Sequence, residues 1–121
     1  MRTGRADMKT FARTILLRDE PGVVDAYRAY HAATFPEVVQ ALRSVGILQM
    51  RIWLRGRALF MLVEAVDDFE PARDFARYEA AGGRVAEWEV LMRGMQEPVA
   101  DAAPGEWWAA MEQVFDLSSY P

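Results

Sequence analysis

The sequence predicts an α+β fold, a ferredoxin-like split βαβ sandwich. Three observations carry that expectation: an alternating strand at the start, a tight hairpin in the middle, and helical stretches between and after them. Over residues 8–17, Phe11, Arg13, Ile15 and Leu17 alternate with Thr10, Ala12, Thr14 and Leu16, a strand with both faces in use. It stops at Arg18-Asp19-Glu20-Pro21-Gly22, where the acidic pair before Pro21 signals a helix start. That helix runs toward Gly46. Pro36 bends it near Thr34 and Phe35, because a residue preceding proline is pushed out of the α region.

Gly46 ends the helix, and residues 47–54 and 58–66 read as two strands joined at Arg55-Gly56-Arg57. By the two-residue period, Arg51 and Trp53 share one face while Met50, Ile52 and Leu54 share the other. Glu64 falls on the face of Phe60 and Leu62, either paired inside a site or near a wet edge. Asp67-Asp68 then open a short charged helix through Tyr78, with Asp67, Asp68 and Glu70 as capping groups. Ala80-Ala81-Gly82-Gly83 is a breaker. Residues 84–96 are helical, with Val85, Trp88, Leu91 or Met92, and Met95 at helical spacing, and with Glu87 and Glu89 on a solvated face. Pro98 closes that helix. A loop holding Pro104 and Gly105 leads to Trp107-Trp108, and Met111, Gln113, Phe115 and Leu117 alternate as a last short strand.

A chain of 121 residues, 52% hydrophobic and 26% charged, has the material for one core. Residues 1–7 read as a polar lead and residues 8–121 as a single domain. A net charge of -4 and a pI near 5.0 argue against nucleic acid, which normally demands a basic face. Without cysteine there is no disulfide, thiolate nucleophile or sulfur-ligated zinc, and one histidine among scattered carboxylates has no metal-ligand spacing. No cofactor is therefore expected. No run has the length to span a bilayer, and Arg2, Arg5 and Lys9 precede no apolar signal region, so the expected location is cytoplasmic and away from membranes. Strands apolar on both faces need a cover that one helix layer does not supply. A homodimer, sheet against sheet in a dimeric α+β barrel, is the expected solution.

His31 is the only imidazole, and it lies four residues from Tyr27, so both project from one helix face. Its ordinary pKa near 6.5 suits proton exchange at neutral pH. Tyr30 is rotated about 100° away and reads as packing. Trp53, Trp88, Trp107 and Trp108, with Glu64, offer the aromatic walls and few polar groups of a cleft for a small neutral ligand.

Seven segments recur together in order: Tyr27-x-x-x-His31, Phe35-Pro36-Glu37, Gly46-Ile47, Ile52-Trp53-Leu54, Leu59-Phe60-Met61-x-Val63-Glu64, Trp88-x-x-x-Met92 and Met111-Glu112-x-Val114-Phe115-Asp116-Leu117. In these the chain resembles the L-rhamnose mutarotase family, which includes relatives acting on L-fucose, from about Met8 to Leu117. The resemblance implies a dimeric ferredoxin-like fold and interconversion of the α and β anomers of a 6-deoxy-hexose, a small neutral monosaccharide. It implies that His31 is the proton donor and that Tyr27 binds the sugar. Trp88 matches the first residue of a family Trp-Trp pair whose second position here is Glu89, and a family tyrosine falls on Met50. The expected substrate-binding set is Tyr27, Met50, Trp53, Glu64, Trp88 and Trp107, with Trp107 and Trp108, or Trp53, replacing lost aromatic surface and Glu64 or Glu37 accepting hydroxyls. Small dimeric α+β barrels also include cofactor-free monooxygenases and haem-handling proteins, in which a lone histidine is a haem ligand. A non-catalytic ligand-binding module is the third reading.

Overall fold

The alternation at the start of the chain becomes the centre of a five-stranded antiparallel sheet in a computed structural model that describes residues 8–121. The polar lead expected over residues 1–7 lies outside them. Strand β1 (Met8–Leu17) pairs along its whole length with β3 (Ala58–Val66), from Met8 opposite Val66 to Leu16 opposite Ala58. Strand β2 (Ile47–Arg55) joins β3 across the expected hairpin, giving the order β2-β3-β1. One register shift, between Ile47 and Gln49, pushes Leu48 out of the ladder.

The single bent helix expected before the hairpin is two helices. α1 (Val23–Ala32) and α2 (Pro36–Ser44) are separated at residues 33–35, since Pro36 occupies the first turn of α2 and Phe35 before it is extended. Gly46 then takes φ +101°, and an added Cβ would lie 2.6 Å from Val66 Cγ2, so only glycine carries the chain into β2.

The next helix starts later than expected. α3 (Pro71–Glu79) begins at Pro71 rather than Asp67, with Glu70 extended before the proline. The capping expected of Asp67, Asp68 and Glu70 falls instead to Asp74, whose Oδ2 accepts the Glu70 amide at 2.8 Å. Asp74 is buried and receives Arg73 and Arg77 at 2.7 Å each. α4 (Gly83–Met95) follows the Gly82 breaker, where φ is +64°.

The last strand is displaced from its expected place and split. β4 (Gln96–Glu97) sets Gln96 opposite Leu17 and Glu97 opposite Leu16, residues 98–108 leave the ladder, and β5 (Ala109–Met111) resumes at Thr14. Ala109 and Ala110 have no hydrophobic signature, but the open edge of β1 pairs them. Beyond Met111 the expected strand is absent. The Asp116 carboxylate accepts from the Ser118 amide and hydroxyl and folds the chain into a turn, Leu117–Ser119, leaving Phe115 and Leu117 exposed.

One parity of the sheet, Ile15, Leu17, Leu59, Val63 and Ala65, is buried with Tyr27, Val38, Val85 and Trp88 of the helices. On the opposite parity Trp53 and Phe60 sit opposite each other across the hairpin, their rings tilted by 41° with 5.5 Å between centroids and 50% and 37% exposed. The element order and strand order are those of a ferredoxin-like α+β fold.

Candidate active site

A cavity of ≈ 790 Å³ lies between the helices and the inward face of the sheet. Three elements converge on it for local reasons. α1 ends over the cavity and places Tyr27 and His31 one turn apart on its wall; α4 supplies Trp88 and Glu89 beside them. The excursion at residues 98–108 leaves the sheet edge, and returns with Glu106, Trp107 and Trp108 lining the cavity. Met50 and Ile52 of β2 and Arg13 of β1 lie on the inward parity and form its floor.

His31 is held in a defined state. Its Nδ1 lies 3.0 Å from the Tyr27 carbonyl oxygen, an acceptor only, so Nδ1 carries the ring proton and Nε2 keeps its lone pair. Burial holds the imidazole pKa below its ordinary value, against the upward pull of that same bond. The resting ring is neutral at pH 7. It is clamped by the Tyr27 ring, with centroids 4.1 Å apart, and by the edge of Trp88 at 5.2 Å.

Tyr27 is its chemical complement. Burial pushes the phenol up to about 12, and Gln96 pulls the other way through a side-chain hydrogen bond. Trp107 Nε1 donates to Gln96 Oε1 at 2.9 Å, and a Gln96 bond that lowers a phenol pKa is one in which the amide N–H donates to the phenol oxygen. A hydroxyl that accepts from Gln96 retains its own proton for a second partner.

Three further polar side chains border the space. Tyr78 Oη donates to Glu89 Oε2 at 3.0 Å, and burial raises the Glu89 pKa above the usual carboxylate range. The Arg13 guanidinium lies over the Phe75 ring at 4.8 Å and the Phe11 ring at 5.7 Å; burial lowers its pKa while the charge of Glu106 opposes that shift.

The structure thus brings together His31, Tyr27, Trp88, Met50, Trp107 and Trp108 of the sequence candidates. It does not bring Trp53 or Glu64. Both sit on the outward parity, Trp53 opposite Phe60 and Glu64 opposite Thr10 and Gln49, and neither lines the cavity. Glu37 lines a separate shallow groove with Gln40 and Arg84. Tyr30 meets Trp88 edge-on at 6.2 Å without lining the cavity. Glu89 corrects the expected solvated face: its carboxylate lines the cavity. A signal was present, since Val85, Glu89, Met92 and Gln96 follow one helical stripe. Arg13 was likewise legible from its parity with Ile15 and Leu17. Gln96 lies on the same stripe as Glu89.

Among the described residues, no group of three or more His, Cys, Asp or Glu side chains is placed to hold a metal ion, and no helix is long and apolar enough to cross a membrane.

A protein-family model described as L-rhamnose mutarotase matches residues 10–117. A UPF0734 protein of Dictyostelium discoideum is 39% identical over 114 residues, covering 92% of this chain and 91% of that protein. An L-fucose mutarotase of Xanthomonas campestris pv. campestris is 33% identical over 113 residues, covering 92% and 90%. The crystal structure of an L-rhamnose mutarotase from Formosa agariphila superposes with a TM-score of 0.65 over 90% of this chain and 98% of that one, at 20% identity, a likeness of fold.

Proposed function

The chain belongs to the L-rhamnose mutarotase family, and from that premise we propose that it interconverts the α and β anomers of a neutral 6-deoxy-hexose, L-rhamnose or L-fucose, with His31 and Tyr27 moving the protons. The observation that carries this reading is the His31 ring on the cavity wall, with its Nδ1 proton committed to the Tyr27 carbonyl and its Nε2 unprotonated.

In that state His31 begins as the acceptor. Nε2 takes the proton of the C1 hydroxyl as the bond from C1 to the ring oxygen breaks, and the Tyr27 hydroxyl protonates that ring oxygen. The open-chain aldehyde turns about C1-C2. On reclosure the ring hydroxyl adds to the other face of C1 and returns its proton to Tyr27. His31 then gives its proton back to the C1 oxygen. The donor role that the family resemblance implies for His31 thus belongs to the closing half of the cycle. Burial of Tyr27 disfavours a lasting phenolate, which keeps its proton loss brief and coupled to the transfer at C1. Trp88 supplies an apolar wall for the C6 methyl and the sugar face, and Met50 and Trp107 complete it.

We extend the proposal to a homodimer through the outward sheet face, which carries Trp53, Phe60 and Met111 exposed. Saturation-transfer NMR on L-rhamnose and L-fucose tests the activity. Exchange between the anomeric signals above the buffer rate is the expected result, and exchange at the buffer rate for both sugars refutes the substrate assignment.

A further inference from the structure

Building on the mutarotase reading, we infer that Glu89, held by Tyr78, is the specificity-determining carboxylate of this cavity and accepts a hydrogen bond from one ring hydroxyl of the sugar. Glu89 follows Trp88 directly on α4, and both side chains line the cavity that holds His31 and Tyr27. Tyr78 donates to Oε2 at 3.0 Å, which leaves Oε1 without a protein donor among the described residues. The Glu89 carboxylate is half-buried on the cavity wall, where a partly desolvated charge gains from further donors. In this cavity a bound ligand provides them.

The surroundings narrow the ligand's chemistry. Glu89 follows Trp88, whose ring meets His31 edge-on at 5.2 Å, so the carboxylate shares a cavity lining with the proton-handling pair and can orient a ring that presents C1 to it. Trp88 beside it offers the flat apolar surface on which a pyranose face stacks. A carboxylate at this place favours a hydroxyl and repels the carboxylate of a sugar acid. Tyr78 fixes the rotamer of Glu89 and is a positioning residue, not one that touches the sugar.

The experiment is a double-mutant cycle between Glu89→Gln and sugars lacking one hydroxyl. Anomer exchange is followed by NMR for L-fucose and L-rhamnose and for their 2-, 3- and 4-deoxy analogues, with parent protein and variant. Glu89→Gln is expected to raise KM about tenfold for the preferred sugar, equivalent to ~1.4 kcal/mol, with a smaller change in kcat. For one deoxy position the parent protein shows a comparable loss, and the variant, left with a neutral amide in place of the charged acceptor, loses markedly less. Tyr78→Phe raises KM about threefold while leaving the dependence on that hydroxyl in place, and it carries the test if the Glu89 variant fails to fold. Losses that add independently at every position, or unchanged KM in both variants, overturn the inference while the mutarotase reading stands. A parent protein that accelerates exchange of neither sugar removes that reading, and the inference falls with it.

Discussion

Replacing His31 by alanine is expected to remove accelerated anomer exchange while leaving the fold in place, and both halves of that expectation have a magnitude. Positioned acid/base groups contribute about 10²-fold to 10⁴-fold, so the barrier rises by ~3–5 kcal/mol. The fold loses less. The ring makes one tilted contact with Tyr27 at 4.1 Å and one edge contact with Trp88 at 5.2 Å, each worth about 0.5–1.5 kcal/mol, so truncation costs ~1–3 kcal/mol of stability. The pH dependence separates chemistry from packing. The folded pKa of His31 lies below its unfolded value near 6.5, so the parent protein keeps Nε2 unprotonated through neutrality and loses activity on acidification below about pH 6.5. Stability moves in the same direction. The folded state binds fewer protons at this site than the unfolded chain, so its contribution is complete above the unfolded pKa and is lost as pH falls toward the folded one. The assay is saturation-transfer exchange on L-rhamnose or L-fucose between pH 5 and 8, with thermal melts beside it. A folded His31→Ala protein that exchanges anomers at the parent rate refutes the proton-transfer role.

Gly46→Ala combines a positive φ of +101° with a Cβ placed 2.6 Å from Val66 Cγ2; backbone strain of about 1–2 kcal/mol and overpacking of about 1–3 kcal/mol predict a destabilisation of ~2–5 kcal/mol by urea unfolding, and a change under 0.5 kcal/mol contradicts the geometry. Asp74→Asn lowers the thermal midpoint, because Arg73, Arg77 and the Glu70 amide all address a carboxylate held well below its ordinary pKa. The parent protein loses the same contribution as pH falls below the unfolded carboxylate pKa toward the lower folded value, so the gap between variant and parent closes in acid; a gap that persists there points to packing instead. Phe60→Glu places a charge opposite Trp53 on the outward face. Sedimentation equilibrium is expected to give a dimer for the parent and a monomer for the variant, and a parent monomer at micromolar concentration removes the homodimer proposal.

The sheet was legible where side chains alternate. Parity alone separates Met50, Ile52 and Leu54 from Arg51 and Trp53, and the strands carry them on opposite faces. The same parity, followed strictly, removes Trp53 and Glu64 from any cavity under the helices. Tyr27 and His31 were legible because a four-residue spacing on a helix is a local fact. The ends of the chain's elements were less so. Helix α3 begins where Pro71 fixes φ, although Asp67 and Asp68 carry stronger capping chemistry. The final strand was misplaced because pairing is a property of the open β1 edge, which two small alanines satisfy as well as any hydrophobic residue. Tyr78 and Glu89 lie eleven positions apart on different helices, and only packing of α3 against α4 joins them.

The split fourth strand separates the tasks of building and choosing. Both anchors of residues 98–108 sit two residues apart on one strand, Glu97 at Leu16 and Ala109 at Thr14, so the segment between them can change length or composition while the ladder keeps its register. Loop-closure cost grows only slowly with length. Trp107, Trp108 and Glu106 are thus carried on a cassette whose replacement, under the proposed function, is expected to retune which sugar is accepted, provided Trp107 is kept to hold Gln96 beside Tyr27. For directed evolution of new sugar preference, this is the segment to randomise.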